Sequence, residues 1–280
     1  MVVPEALVYG LVLLSALAHA AWNAVVKHST DAFLQLAMIR SVGLLTGLLL
    51  ASQLPLPEAE SLGFLLGGAC CQYAYFFLLT RSYRALDYST AYPIARGVTP
   101  LLVTGAALFF LDESLRPLQL TGVLLVSCGI LALLLKDRRV SGTGILLSLA
   151  TGIAIAGYTT LGAAGVRTVS HPLSFVAWLE ILSGAGILLS VLLTQPVQGF
   201  AFARANILRG STSGVIASGG FAVALWATSV MPVAAVAATR ESSILFASVI
   251  SVCVLKERLS VRRWIAALII FTGIGALALA

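Results

Sequence analysis

Long apolar stretches separated by short polar gaps run through the whole chain. Ten of them approach the roughly 20 residues that an α-helix needs to cross a bilayer. They lie at residues 5–26, 32–52, 61–83, 88–110, 116–135, 142–164, 173–194, 205–229, 233–254 and 260–279. No gap is long enough for a soluble domain. The pattern therefore predicts an all-α integral membrane protein with ten transmembrane helices, forming a single membrane domain over residues 1–280.

The two halves of the chain resemble each other. A shift of 144 residues lays 85–135 over 229–279, and a shift of 140 matches one earlier pair of charged residues. The matched positions are Arg96 with Arg240, Arg40 with Glu180, Leu111-x-Glu113-x-Leu115 with Leu255-x-Glu257-x-Leu259, and Gly129-Ile130 with Gly273-Ile274. We therefore predict two five-helix repeats, over residues 1–139 and 140–280.

An odd number of helices per repeat means that the two repeats insert in opposite orientations. Inverted repeats are the architecture of many secondary transporters, whose substrate sites lie near the bilayer midplane. Pairs of glycines spaced four residues apart, which allow close helix packing in lipid, support a compact bundle. They are Gly43 with Gly47, Gly63 with Gly67, and Gly210 with Gly214.

Composition agrees with a lipid environment, because 59% of the 280 residues are hydrophobic and 10% are charged. A soluble domain carries roughly 25% charged residues. The net charge is +6, but most Lys and Arg residues lie in the gaps, where they anchor helices at the lipid interface. We expect contact with membrane lipids and no nucleic-acid partner.

The basic residues are distributed unevenly between the two ends of the predicted bundle. The gaps after stretches 1, 3, 5, 7 and 9 hold about twelve Lys and Arg, against about two in the gaps after stretches 2, 4, 6 and 8. Because cytoplasmic loops carry the excess of basic residues, this count places both termini outside the cytoplasm.

Five charged residues lie well inside the apolar stretches: Arg40, Arg96, Glu180, Arg240 and Glu241. Each would cost roughly 2.5–3.5 kcal/mol at a helix centre facing lipid. They must face a polar interior or pair with one another. Glu241 is a candidate for carrying a coupling proton, and Arg40 with Glu180 for an ion pair or gate, although a purely structural role remains open for all three.

Arg96 lies between Pro93 and Pro100, beside Gly97, in a helix that these residues should kink. Broken helices at membrane depth are tolerated where they line a cavity. We interpret Arg96, and Arg240 at the equivalent place in the second half, as ligands for an anionic group. The alternative is that both residues pair structurally.

Aromatic and polar side chains supply further candidates for the wall of a cavity. His19, Trp22 and Asn23 fall on one face of the first helix, although an interfacial anchor would give the same pattern. Other aromatic side chains inside the stretches are weaker candidates: Tyr73, Tyr75, Tyr92, Tyr158 and Trp226. Of these, Tyr92 and Trp226 complete the predicted substrate-binding set.

No enzymatic motif accompanies these residues. The sequence contains no Gly-x-x-x-x-Gly-Lys-Ser/Thr, His-Glu-x-x-His or Gly-x-Ser-x-Gly pattern. Its four cysteines, Cys70, Cys71, Cys128 and Cys253, have no metal-ligand spacing with a His. We predict no enzymatic activity, no catalytic residues, no metal site and no cofactor.

The chain resembles the EamA-type members of the drug/metabolite transporter superfamily. The likeness rests on the five-plus-five pattern, Arg40 in the second helix, the Pro-rich fourth helix, and the acidic turns at Glu113 and Glu257. The motifs His19-x-x-Trp22-Asn23 and Tyr92-Pro-x-x-Arg96 resemble a subgroup associated with phosphonate utilisation. The family implies secondary transport of small metabolites, and many relatives keep their termini in the cytoplasm, against the count of basic residues.

The sequence therefore predicts a multi-pass transporter in the inner (cytoplasmic) membrane that moves a small anionic or zwitterionic metabolite by alternating access. Proton coupling, the direction of transport, the orientation in the membrane and the choice between monomer and homodimer stay open. A membrane-embedded enzyme and a non-transporting assembly partner are the alternative functions.

Overall fold

The structure of the protein is a computed structural model that describes residues 3–86, 88–134, 141–253 and 261–280. No β-strand occurs within these ranges, which are almost entirely helical. The α-helices they contain are α1 (Glu5–Lys27), α2 (Ala32–Ala51), α3 (Leu62–Ala85), α4 (Tyr88–Phe110), α5 (Pro117–Leu131), α6 (Gly142–Arg167), α7 (Pro172–Thr194), α8 (Pro196–Ala205), α9 (Ile207–Ala227), α10 (Val233–Arg240), α11 (Ser243–Cys253) and α12 (Val261–Ala278). Short 3₁₀ turns occur at Ala59–Ser61 and Ala132–Leu134.

In the described part of the chain, eight helical segments are long and apolar enough to cross a membrane, so the protein is a multi-pass membrane protein. They coincide with eight of the ten predicted stretches. The other two stretches correspond to α5, which has 15 residues, and to α9, which has 21 residues but also Arg209 and several Ser, Thr and Gly residues. Helix α5 is too short, and α9 is not apolar enough, to be recognised as a membrane crossing from length and apolarity.

Two features of the second half were not predicted. The ninth stretch is not one helix, because α10 ends at Arg240 and α11 begins at Ser243. The break falls on the run of polar residues at 239–243. In addition, the short helix α8 begins with Pro196 at its first turn and buries none of its residues.

Closely packed helix pairs connect the two halves of the chain. Helix α2 packs on α7, α5 on α12, α3 on α6, and α1 on α9. Glycines make the closest approaches: a Cβ on Gly47 would lie 2.7 Å from the Ala177 carbonyl oxygen. Gly43, Gly210 and Gly214 are similarly crowded, whereas a Cβ on Gly63 would meet open space, so one partner of the three predicted glycine pairs has no packing role.

Both termini lie at the same end of the helical bundle. The Tyr9 hydroxyl near the start of α1 donates to the Leu277 carbonyl near the end of α12, at 2.7 Å, and Arg116 donates to the carbonyl of Ala280. We call this end the terminal face. The opposite end carries the connections after α1, α3 and α7, with most of the basic residues of the described chain, and we call it the basic face.

The contact between α5 and α12 gives a direct test of glycine packing. A Cβ on Gly273 would lie 2.8 Å from the Gly122 carbonyl oxygen, while a Cβ on Gly275, on the same helix, would meet no atom within 4 Å. We expect Gly273→Ala to lower the free energy of unfolding by about 1–3 kcal/mol, because backbone cannot move aside easily. Gly275→Ala should leave it unchanged or raise it by up to about 1 kcal/mol. Thermal unfolding in detergent compares the pair, and equal stabilities would contradict the packing.

Candidate functional site

Two cavities lie inside the bundle, one above the other. The first encloses about 610 Å³, including its opening, and takes its residues from the half of the bundle nearer the basic face. We call it the basic-side cavity. The second encloses about 500 Å³ and lies nearer the terminal face, so we call it the terminal-side cavity. Both volumes include space that is open to the surroundings.

Three side chains belong to both cavities and separate them: Tyr158 on α6, Phe221 on α9 and Arg240 at the end of α10. The basic-side cavity adds mainly aromatic and polar residues, among them His19, Trp22, Arg40, Gln72, Tyr75 and Phe76. The terminal-side cavity adds Arg96, Thr99, Thr159, Ala224, Thr228 and Glu241. Arg240 therefore lies at the level where the two cavities meet.

Arg40 on α2 forms an ion pair with Glu180 on α7. The two side chains approach to 3.4 Å, and Arg40 also donates to Gln72 on α3 and to Ser183 on α7. The carboxylate of Glu180 packs on Gly43 so tightly that no Cβ would fit there. These contacts satisfy the buried carboxylate and hold α2, α3 and α7 together, as buried charges require.

Arg96 on α4 forms a second buried ion pair with Glu241, which lies at the break between α10 and α11. The Arg96 Nε and a Glu241 carboxylate oxygen are 3.0 Å apart. Arg96 is 7% exposed and Glu241 is 2% exposed. Helix α4, which contains two prolines, and the broken ninth stretch thus meet through opposite charges, and each charge lowers the cost of burying the other.

Arg240 has no hydrogen-bond or ion-pair partner among the residues that the structure describes, whereas Arg40 and Arg96 each form an ion pair with a glutamate. The embedded charges are Arg40, Arg96, Arg240, Glu180 and Glu241. Two of these arginines pair with the two glutamates. One positive charge therefore remains uncompensated among the five residues, and it lies on a side chain that faces both cavities.

Aromatic rings form much of the remaining wall. His19 and Trp22 contact each other edge-to-face at 4.8 Å between ring centroids, and Tyr75 and Tyr158 do so at 5.9 Å. The Arg40 guanidinium lies 5.8 Å from the Phe76 ring and 5.9 Å from the Phe221 ring. Such ring faces attract cations and apolar groups, so a bound molecule would contact both an Arg and aromatic surface.

The structure brings most of the predicted site residues together, but not all. Asn23 is turned back on its own helix, where its amide donates to the His19 carbonyl at 2.8 Å. Trp226 packs against an apolar cluster with Val8 and Tyr9, and the Tyr92 ring lies 5.9 Å from the Arg96 guanidinium without lining either cavity. Tyr73, one of the weaker candidates for the cavity wall, donates to the Leu182 carbonyl.

Gln72 and Phe221 line the basic-side cavity, although sequence reasoning did not select them. Neither carries a charge or a motif that marks it within an apolar stretch. A polar amide at Gln72, on the same helix as Tyr75, was the only available signal. Within the described residues, no group of three His, Cys, Asp or Glu side chains could hold a metal ion.

The pair Arg40–Glu180 predicts a strong asymmetry between single and double substitution. Glu180→Gln leaves Arg40 buried without its counter-charge and should cost about 3–5 kcal/mol of unfolding free energy, and Arg40→Gln/Glu180→Gln should recover much of that loss. Ser218→Ala is a matched control, because its hydroxyl lies 3.5 Å from the same carboxylate and should matter by about 1 kcal/mol or less. Additive single effects in denaturation of the purified protein would contradict the pair.

Comparison with known proteins places these features in context. The sequence model of the EamA-like transporter family matches residues 142–279. A solved protein crystal structure aligns with 98% of this chain and 96% of its own, at a TM-score of 0.72 and 17% sequence identity, and so shares the fold. No curated protein matches the chain in sequence. The match of residues 142–279 to the family model confirms the predicted resemblance to the EamA-type transporters.

Proposed function

Because residues 142–279 match the EamA-like transporter family, we propose that this chain is a secondary active transporter. Its substrate is a small anionic or zwitterionic metabolite, which it moves across the inner membrane by alternating access. One observation carries the choice of substrate: the uncompensated Arg240 that faces both cavities.

An inverted repeat of two five-helix units is the second part of the proposal. Exchanging α1 with α6, α2 with α7, α3 with α9, and α5 with α12 turns the contact α3–α6 into α9–α1, and maps α2–α7 and α5–α12 onto themselves. All of these contacts occur. The exchange treats α5 and α9 as crossings and α10 with α11 as one broken crossing, giving ten.

The charges favour a substrate with a single negative group. Arg96 was a predicted anion ligand, but its pairing with Glu241 at 3.0 Å makes Arg240 the better candidate. A guanidinium offers paired donors that match carboxylate, phosphate or phosphonate. The aromatic rings around it would hold an apolar part of the molecule.

The layer of Tyr158, Phe221 and Arg240 supports alternating access. It lies between the cavities, so a substrate on Arg240 could be approached from either face once the layer moves. Arg240 would then bind the substrate both when the site is open to the basic face and when it is open to the terminal face. The topology follows either the basic residues, which would place the basic face in the cytoplasm, or the family analogy, which would place the termini there.

Ligand binding tests the proposal directly. Purified protein in detergent would be heated with a panel of monocarboxylates, monophosphonates, amino acids and matched uncharged amides. Molecules that bind the folded state raise its apparent stability, by about 2.7 kcal/mol at 100 times Kd. We expect stabilisation by some acids and none by their amides. If none of the anions raised the thermal stability of the protein, the choice of substrate class would be wrong.

Substitution of Arg240 then separates binding from the ion pairs. Arg240→Gln should weaken binding of a stabilising acid about 10- to 100-fold, because a charged hydrogen bond contributes roughly 1.5–3 kcal/mol. Arg240→Lys should retain part of it. The control Arg96→Gln/Glu241→Gln removes one positive and one negative charge, so Arg240 keeps its uncompensated charge and binding should persist. Wild-type affinity of Arg240→Gln would remove this residue from the site.

Glu241 is the candidate for proton coupling, and the same double variant tests it. In proteoliposomes, a proton gradient should drive accumulation of the stabilising acid by the wild-type protein. If Glu241 carries the coupling proton, Arg96→Gln/Glu241→Gln will bind the acid and exchange it across the bilayer, but will not concentrate it. Gradient-driven accumulation by this variant would eliminate Glu241 as the coupling group.

A further inference from the structure

The connection between α4 and α5 aims an acidic side chain at the second half of the protein. Asp112 has φ of 49°, the one positive value for a residue other than Gly in the described chain, and Asp tolerates this left-handed conformation better than most residues. The turn directs the next residue, Glu113, toward α10. Both carboxylate oxygens of Glu113 accept the Val233 N–H, each at 3.0 Å.

Arg167, the last residue of α6, joins this contact. It forms an ion pair with Glu113. It also donates from Nε to the Thr228 carbonyl at 2.8 Å and from Nη2 to the Met231 carbonyl at 3.1 Å. Two charged side chains thus connect the ends of α4, α6 and α9 and the start of α10 across the terminal face.

The helix that Glu113 caps is the one that presents Arg240. Helix α10 has eight residues and its own N-cap residue, Pro232, supplies no side-chain hydrogen bond. A carboxylate at a helix start satisfies an open N–H group and interacts favourably with the helix dipole. Glu113 thus contacts the first residue of α10, and Arg240 is the last residue of the same short helix.

The same contacts lie beside the terminal-side cavity. Thr228, whose carbonyl accepts from Arg167, is also part of that cavity's wall. A second contact reinforces this end: the Ser170 N–H donates to Glu58 at 2.9 Å. Hydrogen bonds from the Ser170 side chain and backbone lower the pKa of the Glu58 carboxyl below its ordinary value.

We propose that Glu113 and Arg167 are positioning residues for Arg240. Their ion pair closes the terminal face, and the two side chains must separate for the site to open there. The proposal rests on the proposed function only for the need to open. Glu113 and Arg167 touch no cavity themselves. They act through α10, so their loss should shift access between the two faces rather than abolish the site.

Cysteine accessibility tests this without any substrate. In a cysteine-free background, Ala217→Cys reports on the basic-side cavity and Ala224→Cys, two turns along α9, on the terminal-side cavity. A membrane-impermeant maleimide is applied to oriented vesicles, and a tag after Ala280 identifies the terminal face. We expect Glu113→Gln and Arg167→Gln to speed labelling of the Ala224→Cys reporter from the terminal face about tenfold or more, since a charged hydrogen bond is lost.

Two controls decide the interpretation. Asp112→Asn, a change in the adjacent exposed acid that keeps the turn, should leave labelling unchanged. The conservative change Glu113→Asp keeps a carboxylate that can accept the Val233 N–H and pair with Arg167, so it should leave labelling of the terminal-side reporter slower than in Glu113→Gln. Unchanged labelling in both Gln variants would overturn the proposal. Faster labelling of both reporters would also overturn it, because it would indicate that the whole bundle had loosened. Faster labelling of the terminal-side reporter alone, in a protein that transports no substrate, would refute only the proposed function.

Discussion

The need to pair charge inside lipid organises this protein. Each embedded charge would be costly if it faced the bilayer, and the fold removes that cost by bringing together residues far apart in sequence. Arg40 meets Glu180 and Arg96 meets Glu241. Both pairs join the first half of the chain to the second. The halves therefore cannot separate without exposing charge, and the cavities between them have a fixed electrostatic lining.

Close packing follows from this pairing. Side chains of Arg and Glu reach each other only if their helices approach closely, and glycines allow it: Gly43 makes room for the Glu180 carboxylate, and a Cβ on Gly184 would lie 2.5 Å from the Arg40 carbonyl oxygen. In lipid, where apolar surface gives little drive for association, such small residues and polar contacts stabilise helix pairs. Charge and glycine thus act at the same interface.

The sequence was sufficient to predict the membrane location, most helices and the five embedded charges, because hydropathy and burial cost are local properties. It was not sufficient to identify which charge remains unpaired. Arg96 and Arg240 occupy matching positions, yet only Arg96 lies against Glu241, and that depends on the break between α10 and α11. Asn23 and Trp226 satisfied the pattern but turned to their own helix and to an apolar cluster, since helix rotation is set by packing. Glu257, in the motif matched to Glu113, lies outside the described residues.

In the proposed carrier, the uncompensated charge of Arg240 would make closure of the site depend on a bound anion. The empty site carries one net positive charge among its five embedded residues, and burying that charge fully as the site closes is unfavourable. An anion on Arg240 neutralises it and lowers the cost of the closed state. Binding therefore favours closure through differential affinity, which is the only way that a ligand can shift such an equilibrium. The pair of Arg40 and Glu180 has no such dependence, because its charge is already balanced.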